Sequence, residues 1–267
     1  MSDQDVSRKW LEMAPLIDRM MERVGTKGEF PVEAGSPLAG DDKASDPYQT
    51  SHALRMCLTA GVDHLHAIKV LVLDQQVLHV AAPSSLARGA LENFGAAYWI
   101  LGPRERDDRV TRTLRWYAKN FKDGDTATQP LNLPGHVLLA DKMDKIFAVG
   151  AKRSIPAASI RGGYTSTETV MYAEANAPQL PLGVVLPWRL CSGFAHGRPW
   201  AYLGMSNREE ETSKDNANIV NVRLTSDLMR ALYPALAALQ LLERFLRLYA
   251  ERSGCHLAQL SGSSGGL

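Results

Sequence analysis

Two side chains suited to anion and proton chemistry stand seven positions apart in a segment with no other charge. They are Arg189 and His196, within Pro187-Trp-Arg-Leu-Cys-Ser-Gly-Phe-Ala-His-Gly197. On an α-helix, seven steps of about 100° fall within roughly 20° of two whole turns, so both leave one face, about 10 Å apart along the axis. Gly197 and Pro199 predict that the helix stops just past His196. His196 then belongs to the last turn, where the negative end of the helix dipole favours its protonated form. A guanidinium holds phosphate oxygens by two parallel hydrogen bonds, and an imidazole moves a proton near neutral pH. The chemistry expected of such a face is on a phosphodiester. The plain alternative is a histidine that ends a helix and an arginine on its wet side.

A second pair lies upstream. Between Leu86 and Leu101 the polar side chains are Arg88, Glu92 and Asn93. A helix apolar nearly all round belongs at the centre of a fold. Arg88 and Glu92 are four apart and share a face. Arginine before glutamate is the poorer order for an isolated helix, so propensity does not account for the pair. It either fixes helix packing or walls a polar site.

Other chemistries find little support. There is no G-x-x-x-x-G-K-[ST], no strand–G-x-G-x-x-G–helix, no G-x-S-x-G and no H-E-x-x-H. His64 and His66 are two apart and splay on a helix; Asp63 with His66 is better placed, but two ligands do not make a metal site. Cys191 has His196 five positions on, out of phase for a nucleophile and its base. No metal and no cofactor is expected.

Composition sets the outer bounds. With 45% hydrophobic and 22% charged residues over 267 positions, the chain reads as an ordinary globular protein with a real core. A formal net charge of +1 argues against a strongly basic nucleic-acid coat, though not against a local basic groove. Three widely spaced cysteines without a C-x-x-C suggest neither a disulfide framework nor a thiolate zinc site. The polar N-terminus reads as no signal peptide, no uncharged apolar run approaches the ~20 residues of a membrane span, and a reduced, cytoplasmic setting without membrane partners is expected.

The elements that position these residues are mostly helical. Residues 8–24 carry a broad apolar face (Trp10, Leu11, Ala14, Ile17, Met20, Met21, Val24). The Gly/Pro-rich stretch 25–46 reads as a long loop. Asp46-Pro47 is expected to open a helix to about Leu73, with Leu54, Leu58, Gly61, Leu65, Ile68 and Val72 inward. Further helices are predicted over about 84–101, 104–121, 136–149 and, after a Thr165-x-x-Glu168 capping box, 166–175. In the 104–121 helix, Arg106, Arg109, Arg112, Arg115 and Lys119 read as mostly outward, a solvated face or a basic rail for phosphates. Residues 200–205 and 219–224 are predicted strands, with 208–218 as their hairpin loop. A last helix runs from after Thr225 to about Arg252, and its heptad-like face (Leu228, Leu232, Ala235, Leu239, Leu242, Leu246, Tyr249) asks for a helical partner. The expected fold is mainly all-α, a multi-helix bundle with a small β-hairpin attached. A single domain over 1–267 is expected, with 255–267 a flexible tail.

The Arg189-x6-His196 motif at a helix end in an all-α chain resembles the HEPN superfamily (higher eukaryotes and prokaryotes nucleotide-binding domains). The pair of patterns Ser-Leu-Ala-Arg88-Gly-Ala-Leu-Glu92 and Cys191-Ser-Gly-Phe-Ala-His196-Gly is similar to an uncharacterised bacterial branch of it. The resemblance spans roughly residues 50–250. It departs at Leu190, where the family usually has a polar residue after the arginine. What it implies is metal-independent RNA cleavage by a homodimer with the motifs facing a shared cleft, the products being a cyclic phosphate and a 5′-hydroxyl. Arg189 is then expected to stabilise the phosphorane and His196 to move a proton, with Arg88, Glu92 and Ser192 in support. Such relatives act as toxins or antiphage effectors; others bind a nucleotide or scaffold a complex without catalysis. The expected partners are a second copy, docked through the apolar helix faces of 54–72 and 228–249, which exceed what one antiparallel neighbour needs, RNA or a nucleotide, and an antitoxin or partner protein.

Overall fold

The helix that is apolar on nearly every side is the axis of the molecule. In the computed structural model, residues 2–131, 135, 137–212 (backbone only at 211 and 212) and 220–256 are described. The chain is 73% helical, with eleven helices and one two-stranded sheet among the described residues. In order these are α1 (Asp3–Gly25), α2 (Pro37–Ser45), α3 (Thr50–Lys69), α4 (Ala82–Leu101), α5 (Arg106–Thr128), α6 (Leu139–Ala151), α7 (Ala157–Arg161), α8 (Ser166–Asn176), α9 (Val185–Ala195), α10 (Pro199–Met205), β1 (Asn207–Thr212), β2 (Val220–Thr225) and α11 (Leu228–Ser253). The expected mainly α bundle with a small hairpin is what the chain forms.

Helix α4 is surrounded by α3, α8, α9 and α11. Leu91, Phe94, Trp99 and Ile100 on it are sealed from water. Glycines set how closely its neighbours approach. A Cβ at Gly61 would lie 2.3 Å from the Phe94 ring, and one at Gly89 would lie 2.5 Å from the His64 ring. Helix α3 therefore lies against α4 closely enough for these rings to rest on bare backbone. α3 with the π-helical turn that extends it (Val70–Asp74) is long and apolar enough to cross a membrane. Here its apolar face (Leu54, Leu58, Leu65, Ile68) is part of the core. A smaller cluster of Val110, Leu114, Met143, Ile146 and Ile160 joins α5, α6 and α7.

The heptad-like face of α11 finds its helical partners within the chain, chiefly α4 and α1. Leu232, Leu239, Leu242, Leu246 and Tyr249 are all buried. Gly254 closes the helix in the left-handed region at φ 72°, as glycine at that position does at low cost.

Several local expectations are corrected. The stretch 25–46 is not all loop: Ser36 caps α2 by accepting from the Ala39 amide, and Pro37 fills its first turn. Asp46 ends α2 rather than opening α3, which starts at Thr50. Residues 200–205 form α10, not a strand; Pro199 in the first turn favours the helix. The hairpin pairs Asn207–Thr212 with Val220–Thr225 instead, so much of the predicted charged loop is strand. Residues 213–219 and the tail beyond 256 lie outside the described residues.

The outward basic face of α5 is also corrected. Asp41 on α2 is sealed from water and draws Arg109 inward, with Nε to Oδ2 at 2.6 Å and Nη2 to Oδ1 at 2.9 Å. Arg112 stacks over Tyr172 at 4.0 Å and donates to the Trp99 carbonyl. Arg115 donates to the Gly163 carbonyl and pairs with Glu168. Thr165 does cap α8 through the Glu168 amide, but the Glu168 carboxylate goes to Arg115 instead of completing the box. Helix periodicity alone takes α5 to be a surface helix; α2 and α8 cover it.

Candidate functional site

Helix α9 is held at both ends. At its start, one oxygen of Glu174 on α8 accepts the amides of Val184 at 2.6 Å and Val185 at 2.8 Å. A carboxylate there satisfies orphan donors and meets the positive end of the helix dipole. Gly183 makes room for it: a Cβ there would lie 2.7 Å from the same Glu174 oxygen. At the other end Gly197 adopts φ 61°. Its amide donates to Phe194, and the Arg198 amide donates to Gly193. His196 is thus the residue just past the last turn, its amide bonded to the Ser192 carbonyl at 3.1 Å.

Alongside α9 runs α4, carrying Arg88 and Glu92. Arg88 Nε donates to Glu92 Oε1 at 2.8 Å. The same oxygen accepts the Trp188 indole N–H of α9 at 2.9 Å. With Nε so fixed, Arg88 Nη1 reaches across to His196 Nε2 at 2.8 Å. A guanidinium has donors only. In this contact Nε2 is therefore the acceptor. Arg88 and Glu92 keep a quarter of their side-chain surface in water, and His196 is exposed. The chain glutamate–arginine–histidine runs from a half-buried anchor to open solvent.

Three of the five residues singled out by sequence meet here: Arg88, Glu92 and His196. Arg189 is exposed and makes no hydrogen bond or ion pair among the described residues, and the Ser192 hydroxyl makes none either. The expected pairing of Arg189 with His196 along one helix is replaced by a pairing of Arg88 with His196 across two. Trp188 was missed, although a buried indole N–H usually finds an acceptor. Arg198, exposed two residues after His196, was missed as well. Glu92 offsets the charge of Arg88, while Arg189 in the first half of α9 and Arg198 just past its end carry positive charges with no hydrogen bond or ion pair among the described residues.

The remaining candidates fall away from it. The His64 ring lies on Gly89 while His66 faces Asp18 at 3.6 Å, so the two histidines do diverge. No group of three or more His, Cys, Asp or Glu residues with metal-binding geometry occurs among the described residues. Cys191 is buried, and desolvation pushes its thiol up to about 12 despite the Ser84 hydroxyl and the Arg88 charge. It is an inert core thiol. The arrangement at hand can bind an oxyanion with Arg88 and exchange a proton through His196. No protein-family model, no curated protein and no solved structure matches this chain.

Proposed function

We propose that this chain is a metal-independent endoribonuclease whose reacting groups are Arg88 and His196. The observation that supports it best is the 2.8 Å contact between Arg88 Nη1 and His196 Nε2, with Arg88 pinned from behind by Glu92. A substrate phosphate inserted at this contact takes the Arg88 donor. His196 Nε2 is then free to accept the proton of a 2′-hydroxyl. The 2′-oxygen attacks phosphorus, and the guanidinium stabilises the added charge of the phosphorane. The bond from phosphorus to the 5′-oxygen breaks, the 5′-oxygen takes a proton from water, His196 returns its own proton to solvent, and the products are a 2′,3′-cyclic phosphate and a 5′-hydroxyl. Arg189 and Arg198 contact flanking phosphates. In the cell such an activity serves as a toxin or antiphage effector. The test is cleavage of total tRNA with EDTA present: the wild type yields cyclic-phosphate ends, while Arg88→Ala and His196→Ala do not.

The homodimer belongs to the same proposal. The apolar faces of α3 and α11 are covered within the chain, so they do not supply the seam. Trp200 and Leu203, 55% and 42% exposed on α10 just after His196, are the surface that favours a second copy. Light scattering of the wild type and of Trp200→Glu tests it.

A second reading, a non-catalytic module that binds a nucleotide or a partner protein, is favoured by the inward commitment of the α5 arginines and the net charge of +1. Saturable nucleotide binding with intact tRNA after prolonged incubation would select it.

A further inference from the structure

Helix α9 shows two adjacent faces to the rest of the molecule. Trp188 and His196 face the polar residues of α4. Pro187, Leu190, Cys191 and Phe194 recur at three- and four-residue steps and make a second, apolar stripe. That stripe is one wall of a cleft of about 200 Å³ that opens to solvent. Its opposite wall is the start of α11, with Met229, Tyr233 and Pro234, and its floor is Pro83 and Ser84 at the start of α4. Leu190, beside Arg189, is part of this apolar wall.

We propose that the cleft is a binding site for a small uncharged molecule, one aromatic ring bearing a single hydroxyl. Size sets the ring: apolar cavities of about 150 Å³ accept benzene. Charge is disfavoured by what the polar residues already do. In the lining arginine, Arg230, Nε is taken by the Met205 carbonyl and Nη1 by the Asp227 carboxylate, which offsets its charge, and Ser84 is bonded to Cys191. What remains for the ligand is the exposed His79 imidazole at the rim and the Ser226 hydroxyl, enough to orient one hydroxyl. Met205 and Met229, 40% and 42% exposed, stand at the mouth. Their unbranched thioethers can close over a ring of varied substitution.

The probe is p-cresol, titrated against the full chain by ligand-observed NMR, with cyclohexanol and 4-hydroxybenzoate as the non-aromatic and charged comparisons. Two variants fill the cleft, Ser226→Phe from the side and Met229→Trp from the mouth; circular dichroism establishes that each is folded. Saturable p-cresol binding to the wild type, weakened at least about tenfold in a folded filled variant and stronger than binding of either comparison, is the expected result. No saturation up to the solubility of p-cresol, or equal binding in both filled variants, overturns the proposal. The readout is binding alone, so it stands or falls apart from any ribonuclease activity.

Discussion

Arg88 Nη1 sits 2.8 Å from His196 Nε2, a hydrogen bond that joins α4 to the residue just beyond α9, 108 positions later in the chain. It places a permanent cation against the one nitrogen able to accept a proton. Loss of a proton-transfer group costs about 10²–10⁴ in rate. His196→Ala is therefore expected to reduce tRNA cleavage by that factor with the melting temperature nearly unchanged. Arg88→Lys is expected to lose most activity as well, since one ammonium cannot serve Glu92 and a phosphate with the geometry of a planar fork. If Arg88→Lys cleaves like the wild type, the guanidinium has no special role.

Glu92 is expected to matter for stability as well as position. Glu92→Ala leaves Arg88 Nε and the largely buried Trp188 indole N–H without their shared acceptor. Each orphaned donor costs about 1–3 kcal/mol, and the residual exposure of Arg88 places the sum at the low end. Glu92→Gln keeps an acceptor oxygen and is expected to lose less. Urea denaturation of both variants checks the order; equal losses would mean that the charge, not the oxygen, is what counts.

The Asp41–Arg109 pair is the most deeply buried ion pair among the described residues, with both side chains at or below 3% exposure. Asp41→Ala leaves a buried guanidinium uncompensated and is expected to cost about 3–5 kcal/mol. Thermal melts of Asp41→Ala beside Asp42→Ala check it. A loss under about 1 kcal/mol, the range of a surface pair, would place Arg109 in water.

Gly61→Ala puts a Cβ 2.3 Å from a fully buried phenyl ring. The expected cost is about 1–3 kcal/mol of overpacking, even though alanine is the better helix former. Phe94→Leu combined with Gly61→Ala is expected to show coupling in a double-mutant cycle, and strict additivity would separate the two sites.

Burial pushes the thiols of Cys57 and Cys191 up to about 12. Both are then neutral in the folded chain, while an unfolded cysteine ionises near 8.5. A folded value above the unfolded one means that the contribution to stability is complete below the unfolded value and is lost as pH rises toward about 12. Stability measured by denaturant is expected to fall steadily from about pH 9 upward, more steeply in the wild type than in Cys57→Ser. At pH 8 a disulfide reagent is expected to label neither thiol until the chain unfolds.

The sequence by itself determined the helical class, the central place of α4 and the stopping point of α9. These follow from short-range rules: periodicity near 3.6, an almost uncharged run, a glycine in the left-handed region. It also singled out His196, Arg88 and Glu92 as residues whose types fit chemistry. Only the tertiary structure decided which of them meet. Helical phase put Arg189 with His196, because that is the one relation visible within a single element. Packing α9 on α4 brought Arg88 to the histidine instead, added Trp188 to Glu92, and left Arg189 in water. The same limit explains α5, whose arginines look solvent-facing until Asp41, Tyr172 and Glu168 arrive from other helices. It explains α10 too, where Trp200-Ala-Tyr-Leu has the residue types of a strand, yet Pro199 and the close approach of Gly193 to Ala201 and Trp200 seat a helix against α9. Partners distant in the chain have no local signature, because what they gain from one another is realised only when the backbone brings them within hydrogen-bonding or van der Waals reach.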